Sequence, residues 1–293
     1  INMKNGDIEI INSKVTVLAT GGYSRLYSVS SSRVYENFGD GVAMAFDAGA
    51  ELMDLEMLQF HPTGMAWPLN TQGVLVTEAV RGEGGILTNA RGERFMQRYD
   101  AKRMELSARD VVARSNYNEI ISRRGTKHGG VWLDISHKNV AYIKKRLPKM
   151  YEQFKAVGID ITRQKMEVAP TAHYSMGGIS TDMNGETNIK NLLAVGECTG
   201  DVHGANRLGG NSLAETIVYG RLTGLYAAKL SKGKLVEIKL NEAKDLSKNI
   251  KFEISGIIRS SIVREELQQI MWKHAGIVRD EKNLKIGLMK LHS

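Results

Sequence analysis

Glycine placement constrains this chain more than any other feature. A strand-like run from Val15 to Ala19 ends in Thr20-Gly21-Gly22, and Gly39-Asp40-Gly41 opens a helix-like run, GVAMAFDAGA, that closes near Gly49. Glycines directly after a strand let the backbone approach a ligand closely. Glycines ahead of a helix leave free amides that suit a phosphate or a set of hydroxyls. Asp40 is placed to cap such amides. Tight turns explain each string equally well when it is taken alone. No GxGxxG occurs; Gly39-Asp40-Gly41 lacks the third glycine and an acidic residue in the matching strand context.

The rest of the chain reads as short segments between glycines. Residues 8–20 predict two strands with a turn at Asn12-Ser13, the second strand buried. From Glu51 to Arg98 helical periodicity is weak, and Val74–Thr77 and Gly85–Thr88 read as strands. Residues 106–123 read as helix, Val131–Ile135 as strand, Asn139–Val157 as helix and Asn211–Leu230 as helix. Near Glu237 the composition turns to Lys/Glu-rich helices with few glycines, which predicts a domain change.

Composition narrows the classes. The 293 residues are 42% hydrophobic and 25% charged, ordinary for a globular protein, and no apolar run is long enough to span a membrane. Cys198 is the only cysteine, so neither an intramolecular disulfide nor a cysteine-rich metal site is available. The net charge of +8 is spread along helix-like segments such as Lys229 to Lys251, as on solvated helix faces, and no sequence-reading module points to nucleic acid.

Polar residues that can carry chemistry sit in the glycine-rich stretches. His61-Pro62-Thr63-Gly64, His173-Tyr174-Ser175-Met176-Gly177-Gly178 and His203-Gly204-Ala205-Asn206-Arg207 place three histidines and an arginine in loop-like contexts that suit one polar pocket. Hydrogen-bonded structural histidines are the plain alternative. No histidine pair has the spacing of a hydrolytic zinc site, so no metal is expected. Thr77-Glu78-Ala79-Val80-Arg81 and Ser107-Ala108-Arg109-Asp110 add a carboxylate and two arginines, which serve equally as structural ion pairs or as reactive groups.

Taken together, eight strings resemble the flavoprotein subunit of the succinate dehydrogenase and fumarate reductase family: ATGG at 19–22, GDG at 39–41, QFHPTG at 59–64, TEAVRGEGG at 77–85, ARDVVARS at 108–115, AHYSMGGI at 172–179, GEC at 196–198 and HGANRLGGNSL at 203–213. They stand in the family's order and cover nearly the whole chain. The resemblance implies a mixed α/β fold: FAD-binding domain pieces at 1–55 and 174–232, an inserted capping domain at 56–173, and the start of a helical domain at 233–293. His61 and His173 then fall at the two crossings between FAD domain and cap. The family's opening GxGxxG unit and part of its helical domain are not in this sequence, so the chain reads as a fragment expected to bind FAD weakly and to be inactive by itself, the alternative being a folding unit that binds neither flavin nor dicarboxylate.

The resemblance also implies roles. Arg109 matches the family's general acid/base, with Glu78 and Arg81 as its proton relay. His61, Thr77, His173 and Arg207 match donors to the two carboxylates of succinate or fumarate. Ala19, Thr20, Gly21, Asp40, Glu197, Ser212 and Leu213 match positions that contact FAD. Implied partners are an iron–sulfur subunit, together with a membrane-anchor subunit. These would place the protein in the cytoplasm at the inner face of the cell membrane, in electron transport and the tricarboxylic acid cycle. The branch includes fumarate reductases that use thiols as reductant. L-aspartate oxidase shares HPTG, the HY–GG loop and HGANRL; Ser175-Met176 and Gly209-Gly210 lean toward the succinate/fumarate branch.

Overall fold

The longest strands come from the stretches around HPTG and HYS. In a computed structural model that describes residues 2, 4, 5, 9–235 and 259–292, the regular elements up to residue 100 are β1 (Thr16–Leu18), α1 (Asp40–Asp47), β2 (Leu52–Met53), β3 (Leu58–Met65), α2 (Ala79–Gly82), β4 (Ile86–Thr88) and α3 (Met96–Tyr99). After them come α4 (Arg109–Glu119), β5 (Val131–Asp134), α5 (Val140–Arg146), α6 (Pro148–Lys155), β6 (Met166–Ser175), β7 (Gly178–Ile179), β8 (Leu192–Ala194), α7 (Asn211–Leu230), α8 (Ser260–His274) and α9 (Glu281–His292).

Strands β3, β6, β5 and β4 lie in that order in an antiparallel sheet. Every residue of β3 is buried, so HPTG is part of a covered strand and not of an exposed loop. Its register against β6 slips between Gln59 and Phe60 and again between His61 and Gly64. Pro62, which has no N–H to give a ladder, sits within the second slip. Leu87, Val131, Leu133, Met166, Val168, Phe95 and Phe154 form the core between this sheet and its helices, each at most 1% exposed. A second core joins Tyr23, Tyr27, Val42, Ala45, Ile179, Ala194 and Cys198. Around it β1 pairs in parallel with β8, and β2 pairs antiparallel with β7. Helices α8 and α9 pack on each other, and α8 reaches the second core through Trp272 and a Gln268 bond to Arg25 O of 2.8 Å.

Several expectations change. Residues 9–12 form no strand, and residues 6–8 lie outside the described set. Strand β1 is not buried: Val17 is 41% exposed, because β8 is its one strand partner among the described residues. Val74–Thr77 makes a single bridge, Leu75 to Gly64, because Thr71 and Thr77 start turns on either side of it. The helix expected over 139–157 breaks between α5 and α6, where Pro148 cannot continue the ladder and instead opens the next helix. Asn139 caps α5 by accepting from Ala141 N at 2.8 Å. Asp40 caps nothing: Gly39 holds that position, and Asp40 falls in the first turn, where its charge meets the helix dipole. The Lys/Glu-rich start expected near Glu237 falls outside the described residues, and α8 and α9 follow it as helices.

Candidate active site

Strands β3 and β6 bring two histidines together. The ring centroids of His61 and His173 lie 5.2 Å apart at 66°. His61 is 1% exposed, and its Nδ1 lies 3.2 Å from Thr63 O and 3.3 Å from Thr63 N, so either tautomer pairs with the Thr63 backbone. The Nδ1 atom of His173 is 2.8 Å from Ser31 Oγ, whose hydroxyl also reaches Ala172 O at 3.3 Å. Burial first, then the charges of Arg207 and Arg109, push His173 down to about 3. Burial and His173 push His61 well below its ordinary value too. Both rings are therefore neutral. Affinity for an anion at this pair is expected to stay flat from about pH 5 to 8, since neither imidazole gains charge there. Titration of malonate against pH, with affinity expressed for the malonate dianion, checks this, and tightening below about pH 6.5, the ordinary histidine value, would show an imidazole protonating in the site.

The positive charge comes from two arginines held by one amide. Gln59 Oε1 accepts from Arg109 Nη1 at 3.1 Å and from Arg207 Nη2 at 3.0 Å. Its Nε2 donates to Arg207 O at 2.6 Å and to Asn206 Oδ1 at 2.9 Å. Sequence reasoning missed Gln59 as a site residue. The available signal was its place two residues before His61 in an alternating strand, which puts both on one face. Arg207 is 3% exposed and Arg109 opens helix α4. Burial and the nearby Arg109 charge lower the pKa of Arg207, so the pair stores repulsion that an anion between them would relieve.

Glu78 joins this group from the other side. Its Oε2 is 2.7 Å from Arg109 Nε and 3.9 Å from Arg81 Nη2. The Arg81 side chain is buried; its Nη1 donates to Glu105 O at 2.6 Å, while Nε and Nη2 make no hydrogen bond. Thr77 Oγ1 accepts from Ala79 N at 3.0 Å, which leaves its own proton available. His203 does not join the other two histidines. It stands behind Tyr174, 2.8 Å from the carboxylate of Glu215.

A second polar cluster lies along the end of β6. Ser175 N and Asn37 Nδ2 donate to Glu197 Oε1 at 3.0 and 3.2 Å, and burial lifts Glu197 to about 7. Gly22 runs against it so closely that a Cβ there would stand 2.6 Å from Glu197 Oε1. Thr20 packs on Gly41, so the ATGG turn and the start of α1 touch. Ala19, Thr20, Asp40 and Leu213 are exposed, while Gly21 and Ser212 are half-buried. Among the described residues no group of His, Cys, Asp and Glu is arranged to hold a metal ion, and no helix is long and apolar enough to cross a membrane.

The FAD binding domain family matches residues 1–213. The chain belongs to this family. It is 48% identical to a fumarate reductase (CoM/CoB) subunit of Methanothermobacter marburgensis, over 99% of this chain and 53% of the relative. It is 38% identical to L-aspartate oxidase 2 of Ralstonia nicotianae, over 99% of this chain and 51% of the relative. The E. coli quinol fumarate reductase FrdA structure superposes with a TM-score of 0.88 at 37% identity, over 95% of this chain and 50% of that one. The chain thus spans about half the length of the relatives it matches.

FAD is the cofactor of this family, and the residues present fit it. A half-buried carboxyl lifted to about 7 beside a glycine turn suits the hydroxyls of a ribityl chain, because it accepts their hydrogen bonds at little further desolvation cost. Helix α7 begins without a side-chain cap at Gly210, whose φ of 84° only glycine adopts freely. Of its first amides, Asn211 N and Leu213 N are taken by Leu208 O and Gly210 O at 3.2 and 3.1 Å, which leaves the Ser212 amide to face an electron-rich edge.

Proposed function

We propose that this chain carries the dicarboxylate-handling part of a flavin-dependent enzyme that interconverts succinate and fumarate. The observation that carries this reading is Gln59 holding the guanidinium groups of Arg109 and Arg207 on one oxygen, close to two neutral histidines. Two carboxylates need donors at both ends. His61 and Thr77 serve one end, and His173 and Arg207 the other. An arginine suits a carboxylate through its planar pair of N–H groups.

FAD, when bound, accepts a hydride from succinate or gives one to fumarate. The remaining carbon needs a proton, and Arg109 supplies or takes it at a guanidinium nitrogen. An arginine with an ordinary pKa above 12 gives up a proton only if it is replaced at once. Glu78, 2.7 Å from Arg109 Nε, is placed to replace it. The 3.9 Å gap to Arg81 is too long for a direct transfer, and Glu78, 48% exposed, closes it by rotating or through a water.

In this reading residues 56–173 form a cap and 1–55 with 174–232 the FAD domain, with a helical domain from 233. The first apolar core lies wholly within 56–173, which supports that division, while the second takes in Leu58, Phe60, Ala113 and Ala172 of the cap beside residues of the FAD-domain pieces. Cap closure would bring His61 and His173 onto the substrate and exclude water. The proposal includes an iron–sulfur partner subunit, with a membrane-anchor subunit through which the protein sits at the inner face of the membrane. It is supported by relatives named as flavoprotein subunits.

L-aspartate oxidase is the second reading, favoured by the 38% identity to a relative of that name. Substrate choice separates the two in the flavin-loaded enzyme that carries this chain. Fumarate should be reduced rapidly by a reduced dye, with no oxaloacetate or ammonia formed from L-aspartate. Aspartate oxidation at a rate rivalling fumarate turnover would move the assignment to the oxidase.

A further inference from the structure

Arg207 is gripped on a second side by groups that the roles above leave unused. Its guanidinium carbon stands 4.3 Å over the centroid of the Tyr174 ring. Tyr174 Oη donates to Glu215 Oε2 at 2.6 Å, and His203 Nε2 lies 2.8 Å from the same oxygen. An ionised carboxylate has no proton to give, so His203 is the donor in that pair. Tyr174 and Glu215 are buried, at 6% and 5% exposure, and the His203 side chain is 8% exposed. The three come from different parts of the chain: the end of β6, the loop before Arg207, and the first turns of α7.

The chemistry of this cluster acts on the arginine. A cation over an aromatic face is held by the negative face of the ring. A phenol that donates to a carboxylate gains electron density, which strengthens that face. Glu215 also supplies negative charge near a guanidinium whose pKa burial lowers. On its open side Arg207 Nε has no partner, although it is buried. The aromatic floor fixes the plane of the guanidinium without consuming its donors: Nη2 goes to Gln59 Oε1 at 3.0 Å and Nη1 to Leu208 O at 3.3 Å, and Nε stays without a partner.

We infer that Tyr174, Glu215 and His203 form a positioning relay for Arg207 that sets the preference for two carboxylates over one. This rests on the dicarboxylate reading given above. The relay residues do not touch substrate: Tyr174 holds the guanidinium plane, Glu215 holds the Tyr174 hydroxyl, and His203 fixes the carboxylate of Glu215. A purely structural cluster would tie the loop to α7 and weaken all ligands alike.

The test is equilibrium binding of malonate and of propionate to the flavin-loaded holoenzyme, read from the flavin spectrum. Tyr174→Leu removes the ring and should raise the malonate Kd about ten- to a hundredfold. Tyr174→Phe and Glu215→Gln keep the shape and should raise it about three- to tenfold. Propionate, whose single carboxylate can settle on the His61 and Thr77 end away from Arg207, should change by less than about twofold in all three, on the same scale of energies. The KM for fumarate should rise by more than kcat falls. Equal weakening of malonate and propionate, or malonate binding within about twofold of the parent in every flavin-loaded variant, would overturn the relay. If Tyr174→Leu takes up no flavin, the malonate-to-propionate ratio in Tyr174→Phe and Glu215→Gln decides. A parent holoenzyme that binds neither malonate nor fumarate overturns the dicarboxylate reading and the relay with it. A parent that binds both while the variants are unchanged overturns the relay alone.

Discussion

Replacing Arg109 by glutamine is expected to lower fumarate turnover by at least about a thousandfold, or about 4 kcal/mol of transition-state stabilisation. Dicarboxylate binding should stay within about threefold of the parent, because the ends of the ligand are held elsewhere. The structural cost should be small. Gln59 Oε1 keeps its bond to Arg207, and Glu78 is open enough to take water in place of Arg109. Steady-state rates with saturating fumarate, beside a malonate titration, separate chemistry from binding. Turnover within about tenfold of the parent would leave Glu78, Arg81 and Arg109 as a salt-bridge brace of the cap.

Arg207→Gln should show the opposite profile. Removing one partner of a charge pair that is buried once a ligand is bound costs about 2–5 kcal/mol, or about thirty- to several thousandfold in malonate affinity. Folding should not suffer in the same measure. Burial and Arg109 already lower the pKa of Arg207, so its charge opposes the folded apo state and its loss relieves that term. The signature is weak malonate binding in a variant whose thermal midpoint is unchanged or higher. A large fall in that midpoint with malonate affinity intact would make Arg207 a structural residue.

The motif residues were legible because each stands in a short local string. Arg109 opens a helix as its SARD context suggested, and Glu78 and Arg81 share one short helical turn. What the strings hid was set by pairing across the chain. His61 looked like a loop residue, yet it lies in a covered strand, because the slip around Pro62 lets a proline sit in the sheet. Gln59 shares a strand face with His61, but its partners Arg109 and Arg207 are 50 and 148 residues away, so its role was hidden. His203 shares its string with Arg207 but serves Glu215, because the loop turns it behind Tyr174. The two-core division of the fold depends on contacts between residues such as Tyr23 and Cys198, which no local pattern announces.

We propose that Arg109 delivers a proton to a dicarboxylate held by Arg207 and the two histidines. Single-turnover reoxidation of the reduced flavin by fumarate tests it most directly, in the holoenzyme and in its Arg109→Gln variant, with fumarate well above its dissociation constant in both. Rapid reoxidation in the parent, and reoxidation at least about a thousandfold slower in the variant, is the predicted result. Reoxidation by fumarate at comparable rates in the two proteins would contradict it.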